Sequence, residues 1–167
     1  GRSIGMGLFG KNKDKGEEDL ALGISLLETN EEAALQALHR ACDKGNAEAQ
    51  YRMGSYYEDT NPGLALGYYE DSYDNGCQRA GFRLARMNIL DKNGDEEIAI
   101  SILADAFESG DDSLFEGSLD AMYDMGVSLF YGNGCLADAA IGTELLERGA
   151  DLGHVPSLAF LKERGIR

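Results

Sequence analysis

Few residues in this sequence have the types and spacing that chemistry requires. Gly5-Met6-Gly7-Leu8-Phe9-Gly10 has the form G-x-G-x-x-G. That form cradles a pyrophosphate only where a strand leads into it and a helix N-terminus follows, and the four residues ahead of it are too few for a strand. A simpler account makes Met6 the native start and Gly1 to Gly5 an expression remnant; Lys11 then stands where N-myristoylation wants Ser or Thr. Asp91-Lys92-Asn93-Gly94-Asp95-Glu96-Glu97 gathers oxygen ligands, but an EF-hand loop has its glycine sixth and here it is fourth. The stretch reads as a turn that delivers acids to the start of a helix, where the dipole favours them. Gly94 is expected to matter through turn geometry alone.

His39 and His154 are the two histidines, and neither lies in an HExxH motif or beside a cysteine pair, so no metal site is expected. Cys42, Cys77 and Cys135 are separated by 35 and 58 positions, which suits neither a CxxC site nor a dense disulfide framework. They read as reduced thiols. Cys42 falls near a helix C-terminus, without the basic or helix-N-terminal setting that activates a thiolate, and is expected to pack. No GxSxG and no P-loop occurs. The chain is therefore expected to be no enzyme and to carry no cofactor.

Charge is more informative. The 167 residues hold 15 Lys+Arg against 30 Asp+Glu, a formal charge of −15. Such a surface repels phosphate backbones and anionic lipid, which excludes nucleic acid and membrane as partners. Hydrophobic residues make up 43%, the ordinary globular share, so the chain is expected to fold. No run approaches the ~18 apolar residues of a membrane span and no signal peptide is evident, which points to the cytoplasm. Residues 91–124 hold eleven acids against Lys92, whereas residues 76–90 hold Arg79, Arg83 and Arg86 and no acid. Spacings of four and three place these arginines on one helical face. They either pair with acids on neighbouring helices or form a clamp for a carboxylate.

The elements that position these residues repeat. After Gly45, Gly76, Gly117 and Gly153 a small residue follows at the fourth place (Ala49, Ala80, Ala121, Ser157), and two further on come Tyr51, Phe82, Tyr123 and Ala159. Met53-Gly54, Leu84-Ala85 and Met125-Gly126 come next. Small residues at a fixed helical phase let helices approach closely while large neighbours fill the groove beside them. A second helix is counted back from Gly45, Gly76, Gly110 and Gly153, with a small residue eleven places earlier (Ala34, Ala65, Ala99, Gly142). Thr29 and Glu32 have the form of a capping box, Pro62 suits a first turn, and Gly45, Gly76 and Gly110 suit left-handed C-caps. Helix pairs are predicted near 17–28 and 31–44, 47–58 and 62–75, 78–90 and 95–108, 118–131 and 137–151, with a closing helix near 155–164. No segment alternates with a two-residue period, so no strand is expected.

These residues resemble the Sel1-like repeats, relatives of the tetratricopeptide solenoids. Ala121, Met125-Gly126, Tyr131-Gly132-Asn133-Gly134, Asp138 and Gly149-Ala150-Asp151-Leu152-Gly153 carry the sharpest likeness, and Ala47-Glu48-Ala49-Gln50-Tyr51 with Met53-Gly54 and Tyr57 a second. Cys135 replaces the family's usual Val, and residues 111–117 are extra. The resemblance implies an all-α, right-handed α-solenoid of four to five Sel1-like helix-turn-helix repeats over 17–167, preceded by a flexible segment 1–16.

The resemblance further implies a concave groove, lined by first helices, that binds a protein segment. It turns toward that groove Glu48, Tyr51, Ser55, Arg79, Phe82, Arg86, Asp120, Tyr123 and Val127. The aromatic stripe is either inter-repeat core or a row of anchors, with Arg79 and Arg86 fixing an acidic group of the ligand. The functional expectation is a monomeric, bacterial-type adaptor or scaffold whose partner is another protein. The rival is an acidic inhibitor or immunity protein that caps a basic toxin or enzyme.

Overall fold

The computed structural model describes residues 15–91, 93–132 and 138–167. The glycine-rich motif at 5–10, Met6, Lys92 and Cys135 lie outside them. Every regular element among the described residues is an α-helix: α1 Glu17–Leu26, α2 Glu31–Asp43, α3 Ala47–Tyr57, α4 Pro62–Asp74, α5 Gln78–Leu90, α6 Glu96–Ser109, α7 Ser113–Glu116, α8 Leu119–Tyr131, α9 Ala139–Asp151 and α10 Val155–Glu163. The helices follow the predicted pairs to within a few residues. The exception is α7, which occupies the extra residues before α8. Four residues are too few to show a helical period, and only Phe115, fully buried, betrays its purpose.

Short polar side chains set the helix starts. Asn30, Asn46, Asn61, Asp95 and Asp138 each accept a hydrogen bond from the backbone N–H three residues on, satisfying one of the donors a helix start leaves open. The cap of α2 is thus Asn30 and not Thr29, whose hydroxyl turns back to the carbonyl of Leu26. The predicted Thr29–Glu32 box fails because the neighbouring Asn is the better acceptor in the extended N-cap conformation. Repeats end alike: the N–H groups of Asn46, Cys77 and His154 reach the carbonyls of Ala41, Ser72 and Gly149, and the glycines ahead of them turn left-handed, at φ 82°, 101° and 91°. Gly110 turns at φ 67°.

The chain divides into two compact units at Ala80 and Gly81, inside α5. In the first, Leu38, Ala41, Cys42, Ala49 and Met53 form a core. Gly54 lies against the ring of Tyr69, where an added Cβ would stand 2.6 Å from Cε1. In the second, Leu146, Phe160 and Leu161 form a core. Here α8 meets α9 through Gly126, whose added Cβ would lie 2.8 Å from Leu146 Cγ and 3.1 Å from the carbonyl oxygen of Gly142. The small-residue phase therefore marks true close approaches. Gly94 departs from expectation: an added Cβ would come 2.0 Å from the Asn88 carbonyl oxygen. The turn folds tightly onto the end of α5, where Asp95 N–H donates to Asn88 Oδ1, so Gly94 is held by packing as well as by turn geometry.

Candidate protein-binding site

In the first unit the start of α3 carries Glu48, and one turn on stands Arg52, whose Nε donates to Glu48 Oε1 at 3.1 Å. Arg79, from the first turn of α5, donates to the other carboxylate oxygen and lies over the Tyr51 ring with Cζ 4.5 Å from its centre. Burial alone pulls the Arg79 guanidinium down, but the hydrogen bond and charge of Glu48 outweigh it and raise its pKa above the ordinary value. Beside this trio opens a cavity of about 450 Å³. Its walls are Leu27, Leu35 and Leu38 on one side and Tyr51, Ser55 and Tyr56 on the other. Ser55 hydrogen-bonds the buried Tyr69 hydroxyl at 3.2 Å, and the Tyr56 hydroxyl donates to Glu31 at 2.7 Å. The result is an apolar hollow with fixed tyrosines and a charged rim.

Four predicted residues, Glu48, Tyr51, Ser55 and Arg79, thus share one cavity. Leu27, Leu35, Arg52 and Tyr56 were not predicted. Arg52 and Tyr56 follow Glu48 at four-residue intervals on α3, a signal the sequence does contain. Leu27 and Leu35 come from the preceding helix pair, whose contribution no first-helix phase can show.

In the second unit Arg86 bonds Asp124 Oδ2 through Nε at 3.0 Å. Arg83, Arg86, Ser118, Asp120, Asp124 and His154 line a polar cavity of about 410 Å³. His154 links Asp120, at 3.1 Å from Nε2, to Ser157, at 2.8 Å from Nδ1. Ser, His and Asp are the residue types of an acyl-transfer triad, yet Ser157 is fully buried in the first turn of α10 and its hydroxyl has no path to a substrate. Tyr123 and Val127 are half-buried and pack on the core around Phe160. Phe82 is 1% exposed and packs on Phe115 at 5.1 Å between ring centres. Its ring belongs to the core of the second unit and is not offered to a ligand, because α7 covers it.

Among the described residues no group of three His, Cys, Asp or Glu side chains could hold a metal ion, and no helix is long and apolar enough to cross a membrane. Asp91 and Asp95 are instead engaged by the backbone of their own turn and helix start.

A family model described as Sel1 repeat matches residues 20–46, 47–77 and 119–154, more than half of the chain. The chain belongs to the Sel1 repeat family. Its matched repeats coincide with α1–α2, α3–α4 and α8–α9, whereas α5–α6, with Ala85 in place of the repeat glycine, lies outside the matches although both helices form. No curated protein matches. Among solved structures, the chain is similar to a protective antigen of uropathogenic Escherichia coli displaying an SLR fold, at 25% identity and TM-score 0.65, covering 90% of this chain and 34% of that one. It is also similar in fold to a Sel1 repeat protein from Oxalobacter formigenes, at 18% identity and TM-score 0.64, covering 89% of this chain and 44% of that one. The chain therefore spans less than half the length of either. Sel1 repeat proteins generally mediate protein–protein interaction and are typically non-catalytic.

Proposed function

We propose that the protein is an adaptor that binds a segment of another protein, with the cavity beside Tyr51 as its anchoring site. The observation that carries this reading is the convergence of Glu48, Tyr51, Ser55 and Arg79 around one apolar hollow. Aromatic rings with an arginine stacked on them are what binding hot spots favour, because they present large rigid surfaces at small entropic cost. A ligand would set an apolar side chain against Leu27, Leu35 and Tyr51 and an acidic group toward the guanidiniums. Elsewhere the acidic surface favours bases, so a segment of mixed charge fits best. In the second unit Arg86 and Asp120 line a separate, more polar cavity.

The experiment is selection of random displayed peptides on the immobilised protein, counter-selected on a Tyr51→Ala/Arg79→Ala variant of unchanged melting temperature. Peptides pairing an apolar residue with an acid should be enriched and should lose affinity on the variant. Enrichment of basic peptides, with steep salt dependence and no loss on the variant, would contradict the reading and favour the acidic-inhibitor rival.

A further inference from the structure

We propose that Glu48 is an internal competitor at this cavity: in the free protein its carboxylate fills the place that an acidic side chain of the bound segment takes, and it thereby sets how tightly such segments are held. This rests on the reading of the cavity as a segment-binding site.

Two guanidiniums converge on one carboxylate. Each has five N–H donors, and the two Glu48 oxygens engage Arg52 Nε and Arg79 Nη2, so most donors remain for a ligand. Of the charged groups lining the cavity, two are positive and one is negative, so one further carboxylate complements the rim. The side chains of Arg79, Arg52 and Glu48 are 46%, 39% and 33% exposed. Ion pairs so open to water hold weakly and exchange readily. Arg79 also keeps its place over the Tyr51 ring whichever acid it holds.

Glu48 has somewhere to go. It also lines a second hollow of about 520 Å³, beside Lys15 and Asn75. A turn of its side chain would carry the carboxylate out from between the arginines into this hollow, whose lining includes Lys15. The occupant is thus an internal protein segment with an apolar residue next to Asp or Glu, whose carboxylate sits on a short flexible arm as that of Glu48 does.

The test is an NMR titration of the full chain with three probe tetrapeptides. The first is Gly-Phe-Glu-Gly capped at both ends, the second is its capped Gln analogue, and the third is the Gln analogue with a free C-terminal carboxylate. The signals read are the Tyr51 amide and the Arg52 and Arg79 Nε–H. In the wild type the Glu peptide should bind more tightly than the capped Gln peptide and should shift the Lys15 amide as well. In Glu48→Gln, checked for unchanged melting temperature, the Glu peptide should gain about two- to fivefold in affinity and the capped Gln peptide should gain nothing. If both capped peptides shift Tyr51 but neither the wild-type preference nor the Glu48→Gln gain appears, the competitor role is overturned and the cavity reading stands. If no peptide shifts Tyr51, the cavity reading falls with it. Strongest binding by the free-carboxylate peptide would overturn the choice of an internal acid.

Discussion

Cys42 is packed among Leu38, Ala41, Ala49 and Met53, and burial, with the charges of Asp43 and Asp71, pushes its thiol up to about 12. Burial likewise pushes the nearby Tyr68 hydroxyl up to about 12, helped by the negative forms of Cys42 and Tyr57. Both are acids whose folded-state pKa lies above the ordinary 9.0 and 10.0. The stability they lend is therefore complete below about pH 9 and drains away as pH rises toward 12. The melting temperature should fall above pH 9, and iodoacetamide at pH 8 should label Cys77 in the folded protein but leave Cys42 untouched. A flat profile to pH 11, or equal labelling of the two, would contradict this. The glycines make a second residue-scale case. Gly54→Leu and Gly126→Leu should each cost roughly 1–3 kcal/mol in denaturant melts, because the Tyr69 ring and the Leu146 side chain stand where the new atoms must go. Negligible cost at both would show that those helices do not meet there. The repeat phase made these two positions legible, whereas the clash at Gly94 comes from a carbonyl six residues back, which no periodicity displays.

Helix starts show how a local rule and its neighbour compete. Thr29 and Asn30 are both capping types, and the sequence alone does not tell which one adopts the extended N-cap conformation. Since Asn30 accepts the Ala33 N–H, Asn30→Ala should lower stability by about 1 kcal/mol and Thr29→Ala by less than about 0.5 kcal/mol. The reverse order in thermal melts would restore the Thr29 box. The short α7 is the element the sequence hid. Arg148 of α9 ties it down: it bonds Glu144 at 2.7 Å and Asp112 at 3.3 Å, and its Cζ lies 4.8 Å and 5.4 Å from the Phe107 and Phe115 ring centres. Arg148→Ala should cost about 1–2 kcal/mol, and Arg148→Lys less, since an ammonium keeps the charge without the planar stack. No loss in urea melts of Arg148→Ala would show that α7 is held by Phe115 alone.

At the scale of the whole molecule, the Sel1 repeats were legible because a repeated phase of small and large residues repeats the same packing. The all-α class, the helix pairs and the C-terminal glycine turns all follow from it. The candidate cavity was legible only where it lies on the repeat phase of the first helices, at Glu48, Tyr51, Ser55 and Arg79. Phe82 shares that phase but is sealed by α7, and Leu27 and Leu35 join the cavity from another helix pair. On the proposed function, this cavity holds a segment of a partner protein. A photo-crosslinking residue at the exposed position of Ser55, with one at exposed Glu70 on α4 as reference, tests it in native lysate with mass-spectrometric reading of the joined peptides. Ser55 should join one recurring segment carrying an apolar residue beside an acid, Glu70 should not, and Tyr51→Ala should abolish the product. Joining of the same segment from Glu70 as readily as from Ser55, undiminished by Tyr51→Ala, would contradict it.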